Sequence, residues 1–213
     1  NKVYVKDLNY KSDGDVILKD ELKGNIVFKA TQGTLTLSDG VNLNTSNTTF
    51  EDANSAKLIF AGDSTINGTL GGNTTGKSTF ATIEAGADGK TVTFQNNLYA
   101  TNLEVTGSNG TVNLNGNFTG DNLNYKADGT VNLADNKVVD SMILTTADNQ
   151  GTLNTIKNAE FKQQIGEDGK KLKEINTSKS GSTTTFQNDV YAQNLNLDED
   201  RIVNLNGNFK GDK

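Results

Sequence analysis

The 213-residue chain has no cysteine, no histidine, no proline and no tryptophan, and only one methionine. Each absence excludes something. Without cysteine there is no disulfide, no thiolate nucleophile and no cysteine–zinc site. Without histidine, the Ser-His-Asp and Cys-His arrangements have no base within the chain. Proline lacks the N–H that a central strand donates, so its absence suits a chain committed to sheet ladders. The net charge of −6 argues against nucleic acid as a partner, because phosphate neutralisation needs clustered basic residues. No apolar run approaches the roughly 18–20 residues of a membrane-spanning helix, so insertion of this chain into a membrane is not expected. No signal peptide is recognisable and the pattern is cut at both termini, from which the expectation is a piece of a longer protein.

What the chain has instead is short alternation. Apolar residues make up only 33%, a level that suits disorder when they are scattered. Here they are grouped as V-x-L, L-x-L and V-x-F triplets separated by Asn, Gly and Asp, which is strand-and-turn patterning. One stretch occurs twice. Residues 91–118 read TVTFQNNLYATNLEVTGSNGTVNLNGNF, and residues 183–209 read TTTFQNDVYAQNLNLDEDRIVNLNGNF. The repeat extends upstream: DLNYKSDG at 7–14 returns as DNLNYKADG at 121–129, and QGTL at 32–35 returns as QGTL at 150–153. The whole of 1–213 therefore reads as one segment with internal copies at about 7–121 and 122–213.

The offsets between copies carry the fold expectation. Asn9 and Asn124 are 115 apart, Gln32 and Gln150 are 118 apart, but Phe94 and Phe186 are only 92 apart. The second copy has lost about 26 residues, yet the sequence on both sides of the loss is kept. A sandwich that loses this much loses strands from a closed hydrogen-bonding order, whereas a solenoid that loses one coil simply closes the stack. A finer recurrence agrees: VNL at 112–114 returns at 131–133, a shift of 19, and NL at 102–103 returns at 122–123, a shift of 20. The expected fold is all-β, a parallel β-helix with coils of about 20 residues, inward Val, Leu and Phe, and Asn, Gly and Asp at the corners. The alternative is an antiparallel β-sandwich with Asp-Gly hairpins at 88–89 and 168–169.

Residues 157–180, KNAEFKQQIGEDGKKLKEINTSKS, interrupt the pattern with Lys, Glu and Gln. They read as a charged insertion projecting from the stack, either a β-hairpin around Asp168-Gly169 or a short amphipathic helix through Leu172 and Ile175. The shared D-G-K places this segment opposite FATIEAGADGKTVTF at 80–94. Projecting segments on solenoids often carry binding, so Lys162, Asp168, Lys170, Lys171 and Lys173 are the candidate binding residues. A solvated insertion without a partner is the plainer alternative.

Other chemistry finds little support. Carboxylate pairs can hydrolyse glycosides when suitably spaced, and Asp198-Glu199-Asp200 is the densest local cluster. Its counterpart TGSNG at 106–110 has no carboxylate, so the cluster reads as a solvated turn. The calcium-binding nonapeptide and EF-hand patterns are missing. GGNTTGKS at 71–78 has P-loop spacing but lacks the strand before it and the helix after it, and so reads as a turn. The paired aromatics Phe94/Phe186 and Phe118/Phe209 read as an inward stack, and Tyr99/Tyr191 as outward or corner residues. Sequons such as those at Asn47 and Asn73 are expected by chance in an Asn- and Thr-rich chain. No catalytic residue, cofactor or metal is expected.

The motifs VNLNGNF at 112–118, GDNLNYKADG at 120–129 and TVNLAD at 130–135 resemble the passenger repeats of bacterial autotransporters. They are most like the rickettsial surface cell antigens of the outer membrane protein A and B type. The likeness spans nearly the whole chain and is weakest at 157–180. It implies a right-handed β-helix exposed on the outer membrane of a Gram-negative bacterium, or released from it, and carried there by a C-terminal barrel. It also implies a non-enzymatic role in attachment to or entry into host cells, with a host surface protein or matrix as partner. A polysaccharide-active β-helix enzyme and a phage or secreted fibre are the alternatives.

Overall fold

The computed structural model describes residues 2–11, 13–28, 33–45, 48–50, 56–72, 79–177, 180–198 and 200–211. Every regular element among them is a strand. The first strands are β1 (Val3–Tyr10), β2 (Asp15–Leu18), β3 (Leu22–Phe28), β4 (Gly33–Leu37), β5 (Leu43–Asn44), β6 (Thr48–Phe50), β7 (Ala56–Phe60) and β8 (Ser64–Ile66). The middle holds β9 (Phe80–Ala85), β10 (Thr91–Phe94), β11 (Leu98–Val105), β12 (Thr111–Leu114), β13 (Phe118–Tyr125), β14 (Thr130–Leu133) and β15 (Lys137–Thr145). The last are β16 (Thr152–Thr155), β17 (Ala159–Phe161), β18 (Leu172–Thr177), β19 (Thr183–Phe186), β20 (Val190–Leu197), β21 (Ile202–Leu205) and β22 (Phe209–Lys210).

All the pairings between these strands are parallel. They run in two sheets, β1-β3-β5-β8-β10-β12-β14-β16-β18-β20-β22 with β6 also on β3, and β2-β4-β7-β9-β11-β13-β15-β17-β19-β21. This is a β-solenoid of about nine turns with coils of about 20 residues, as the offsets predict, and not a sandwich. At about 4.8 Å between stacked strands, nine turns make a rod roughly 40 Å long.

Long strands bend through a corner, so the two sheets cover three flat sides. In β11, Leu98 and Ala100 point inward, then Thr101 and Asn102 both face outward, then Leu103 and Val105 point inward again. That double outward step is the corner, since alternation along a straight strand would have turned Asn102 in. The first side stacks β8, β10, β12, β14 and β16. The second side stacks β17, β19 and β21 over Lys137–Val139. The third side stacks β2, β4 and β7 under the later parts of β9, β11, β13 and β15. Inside runs one continuous hydrophobic core from Tyr10 to Ala192.

The repeated motifs explain themselves in this frame. Tyr125 lies in the core and its hydroxyl donates to the Thr152 carbonyl at 2.8 Å. Its ring occupies the space that a Cβ on Gly151 would need, 2.5 Å away. Tyr10 repeats this with the Thr34 carbonyl at 3.0 Å and with Gly33, whose Cβ would sit 2.4 Å from the ring. So L-N-Y and Q-G-T-L are two halves of one lock: a tyrosine laid across the glycine of the coil above, bonded to the following threonine carbonyl.

Placement of the copies adds something that their sequences do not state. TVTF at 91–94 lies on the first side, but TTTF at 183–186 lies on the second. NLEV at 102–105 is on the third side and its counterpart NLNL at 194–197 is on the first. LNY at 8–10 is on the second and LNY at 123–125 on the third. The second copy is thus rotated by one side, both before and after the missing residues. A loss that keeps this phase is one whole coil.

Candidate functional site

In its described residues, 157–177 and 180, the charged segment 157–180 is wound into the stack. Ala159–Phe161 pair with Lys137–Val139 below and with Thr184–Phe186 above. Ile165 bridges Ile143 and Val190. Leu172 and Ile175, the proposed face of a short helix, are buried inward residues of β18. A hairpin does exist around Asp168-Gly169, but it is minimal: Glu167 and Lys170 form a single antiparallel bridge with one turn between them. The alignment through D-G-K also needs correction. β18 shares with β9 the inward positions of its first, fourth and last residues, and both strands precede a T-x-T-F strand. LKEINT at 172–177 is therefore the counterpart of FATIEA at 80–85, and D-G-K marks a corner of one kind rather than one position in the repeat.

The candidate binding residues divide between two corners. Lys162 follows β17 and pairs with Asp140 of the coil below at 3.1 Å. Burial pushes the Asp140 carboxyl up, but hydrogen bonds from Gln163 and Lys162 outweigh it and leave the value lowered. Asp168, Lys170, Lys171 and Lys173 belong to the next corner, beyond Ile165. There Lys170 pairs with Glu167 at 3.0 Å, and the Lys171 backbone N–H donates to Asp148 Oδ1 at 2.8 Å. Lys173 reaches Asp128 at 2.7 Å. The hydrogen bond and charge of Asp128 raise the Lys173 ammonium above its ordinary value, and Lys173 lowers Asp128. Lys162, Lys170 and Lys173 each have a carboxylate in hand, so this surface is ion-paired rather than strongly cationic.

That second corner is an aspartate corner along the rod. Asp39 Oδ1 accepts from the Asp63 N–H, Asp63 Oδ1 from Thr91, Asp128 Oδ1 from Gly151 and Asp148 Oδ1 from Lys171. Each carboxylate caps a backbone donor of the coil above. Lys90 joins two of them, at 2.7 Å to Asp39 and 3.7 Å to Asp63. Among the described residues no group of His, Cys, Asp or Glu is arranged to hold a metal ion.

The outward face of the first side is the most regular surface. Thr91, Thr111, Thr130 and Thr152 stand in one register. Beside them Asn113 donates to Thr93, Asn132 to Asn113, Asn154 to Asn132, Asn176 to Asn154 and Asn196 to Asn176, at 2.8–3.0 Å. Asn was expected at corners, and Asn122 does donate to Asn102 at a corner at 3.0 Å; this longer ladder runs instead up the centre of a flat strand face. The signal was present in the T-V-N-L recurrence, whose Asn must face outward once Val and Leu face in.

Asp198 and Asp200 sit in a turn after β20, and Glu199 lies outside the described residues. Arg201 folds back on this turn, its Nε donating to the Asp198 carbonyl at 2.8 Å and its Nη2 lying 3.6 Å from Asp198 Oδ2. No convergence of carboxylates is seen there among the described residues. Residues 73–78 of the P-loop-like segment, and the sequons' Asn47 and Asn73, also lie outside the described residues. Phe94, Phe118 and Phe186 are buried as expected, whereas Phe209 is exposed in the last coil. Comparison with protein-family models, curated proteins and solved structures finds no match for this chain.

Proposed function

We propose that this chain is a length-adjustable rod from a bacterial surface passenger, an adhesive stalk that acts by geometry and carries no enzymatic activity. The observation behind this reading is the loss of one whole coil between copies with the phase of the sides retained. A rod can change its reach in single steps of about 4.8 Å without disturbing its neighbours. An enzyme gains nothing from that freedom, because a catalytic cleft needs particular coils in particular places. The resemblance to autotransporter passengers supplies the setting: the outer surface of a Gram-negative cell, with a host surface protein or matrix component as partner.

Within this reading the ion-paired turn from Asp168 to Lys173, together with Lys162 at the preceding corner of the same coil, is the contact surface. Beads coated with the purified chain should adhere to cultured mammalian cells above the level of uncoated beads. Replacing Lys162, Lys170, Lys171 and Lys173 together by Glu should reduce that adhesion several-fold while leaving the circular dichroism spectrum unchanged. Equal adhesion by variant and parent would remove this turn from the function. No adhesion by either would remove the adhesive role and leave only the spacer. Release of reducing ends from acidic glycans by the purified chain would overturn the non-enzymatic reading.

A further inference from the structure

The first side differs from the other two in charge. TVTFQ at 91–95, TVNLN at 111–115, TVNLA at 130–134 and TLNTI at 152–156 turn their first, third and fifth residues outward on four successive coils. None of these twelve residues is charged, in a chain that is 22% charged. The third side carries Lys57, Glu84 and Glu104 outward, and the second carries Glu160. Asp63 and Glu174 continue the threonine row below Thr91 and above Thr152, and mark where the uncharged strip stops. The strip also holds the amide ladder. Each of Asn113, Asn132, Asn154 and Asn176 donates one N–H to the coil below and accepts one from the coil above. A carboxamide has two N–H groups and two acceptor positions, so half of each amide's hydrogen-bonding capacity lies outside the ladder.

We infer that this strip binds an uncharged polymer whose own amides are stacked: the N-acetylglucosamine polymer in its insoluble form, chitin, with its chains lying across the rod. Charge, spacing and area select that occupant. The strip offers an ionic partner nothing to pair with, so its complement is uncharged. Amides stacked by N–H···O=C bonds repeat at about 4.7–4.9 Å whatever carries them, because the bond sets the distance. The acetamido groups of stacked chitin chains are joined by the same bond, so their rows and the asparagine rows keep step from coil to coil. A sugar polymer without amides, laid along the rod, repeats with its ring, which is longer, and drifts out of step within a few coils. The strip measures about 19 Å by about 15 Å, roughly 300 Å² against the about 800 Å² per partner of stable complexes. That is too little to hold a second copy of this chain. The flat strip forms no groove around a single sugar chain, and none of the twelve residues is aromatic. A flat repeating surface is what it matches, with threonine hydroxyls bonding to sugar hydroxyls beside the amides. One strip binds weakly, and many rods on one surface add up.

The test is co-sedimentation of the purified chain with particles of chitin, of cellulose, which has the same linkage without acetamido groups, and of chitosan, whose acetamido groups have become amines. At about 1 M salt, where the charge of chitosan is screened, the parent should bind chitin about tenfold better than either. Lowering the salt should leave binding to chitin unchanged. Soluble N-acetylglucosamine oligomers should not displace the chain, because they carry no stacked amides. Asn132→Asp keeps the size and the acceptor but puts a charge in mid-ladder, and Thr130→Lys puts one beside it. Each should lower binding to chitin about tenfold with an unchanged circular dichroism spectrum. Thr119→Lys, at an exposed position of the second side, should bind like the parent. So should the variant with Glu at positions 162, 170, 171 and 173, which keeps this inference separate from the role of the charged turn in adhesion. No binding to chitin, equal binding to cellulose or chitosan, displacement by oligomers, or full binding by Asn132→Asp and Thr130→Lys would overturn the inference.

Discussion

Two coils built from the same words behave differently. VIL at 16–18 and VNL at 131–133 occupy equivalent places in the repeat, and so do the locks Tyr10–Gly33 and Tyr125–Gly151. Val131 and Leu133 are fully buried, whereas Val16 is 38% exposed. Burial pushes the Tyr125 phenol far up, above the range of ordinary titration; the rise at Tyr10 has the same first cause. The residues are alike and so is the bond to the following threonine carbonyl, to which Tyr10 adds a contact with the Gly14 carbonyl. What differs is the presence of a coil on both sides. In a solenoid a side chain's burial is completed by the next coil, so the same motif is core in the middle and surface at an end.

The sharpest way to break that equivalence is at the phenylalanines. Phe118 and Phe209 are the same residue of the same motif, VNLNGNF, but Phe118 is fully buried and Phe209 is 39% exposed. Phe118→Ala should cost about 3–5 kcal/mol, the usual loss for a buried aromatic ring with the cavity it leaves. Phe209→Ala should cost clearly less, about 1–2 kcal/mol, because about two-fifths of the residue still faces water and its removal leaves no closed cavity. Urea unfolding of both variants would measure this, with hydrogen exchange resolving whether the loss spreads beyond the neighbouring coils, since repeat arrays need not unfold in one step. Equal costs at the two sites would mean that the ring of Phe209 is packed as tightly as that of Phe118.

Much of the fold was legible before the structure. The 92-residue offset against 118 told of a modular stack, and strand alternation told which residues face in. The side on which a motif sits was not legible. All three sides demand the same apolar alternation and the same turn residues, so TVTF at 91–94 builds a first side and TTTF at 183–186 a second. The charge of 157–180 misled for a related reason. Lys and Glu were read as a sign of projection, but outward positions of a coil are solvated whatever they carry, and Ile165, Leu172 and Ile175 in the same segment supply the inward positions. The D-G-K match misled because a corner needs a residue for the left-handed turn, as Gly89 and Gly169 provide with φ of 64° and 73°, irrespective of which coil it closes.

The locks offer a second comparison of intermediate size. Gly151 combines a φ of 87° with a ring 2.5 Å from any added Cβ, and Tyr125 is covered above and below. Gly151→Ala should therefore cost about 2–4 kcal/mol, the sum of an overpacked core and a left-handed backbone. At Gly33 the backbone is not left-handed, so only the Tyr10 ring, 2.4 Å from an added Cβ, opposes a side chain there. Gly33→Ala should cost about 1 kcal/mol. Tyr125→Phe should cost about 1–2 kcal/mol by stranding the Thr152 carbonyl, and Tyr10→Phe less, because water reaches Thr34 once the hydroxyl is gone. A double-mutant cycle of Gly151→Ala with Tyr125→Leu separates the steric part: a smaller side chain at 125 should recover a good part of the glycine cost. If the two changes simply add, the ring and the glycine are not in contact and the lock is wrong.

The smallest effect concerns charge. Lys173 pairs with Asp128 in the interior at 2.7 Å, and Lys210 lies 3.9 Å from Asp189 in the last coil. Asp128 is lowered by Lys173 and Lys173 is raised by Asp128. Because the folded carboxyl titrates below its ordinary value of about 3.9, the pair's contribution is present above that value and lost as pH falls through the depressed one. Because the folded ammonium titrates above its ordinary value of about 10.4, the contribution is also complete below that value and lost as pH rises through the raised one. Between the two limits it should be flat. Both side chains are nearly half exposed, at 44% and 46%, so solvent screening holds the pair to about 0.2–1 kcal/mol. Lys173→Met should destabilise by that amount at neutral pH, and the difference should vanish in acid and shrink at about 1 M salt, where the screening length is only about 3 Å. The effect of Lys210→Met should depend less on acid, because Lys210 is held first by the Tyr191 hydroxyl at 2.8 Å and lies 4.7 Å from the centre of its ring. A Lys173→Met cost that persists in acid would show the lysine to act through its packed methylene stem, which crosses a full coil to reach Asp128, rather than through its charge.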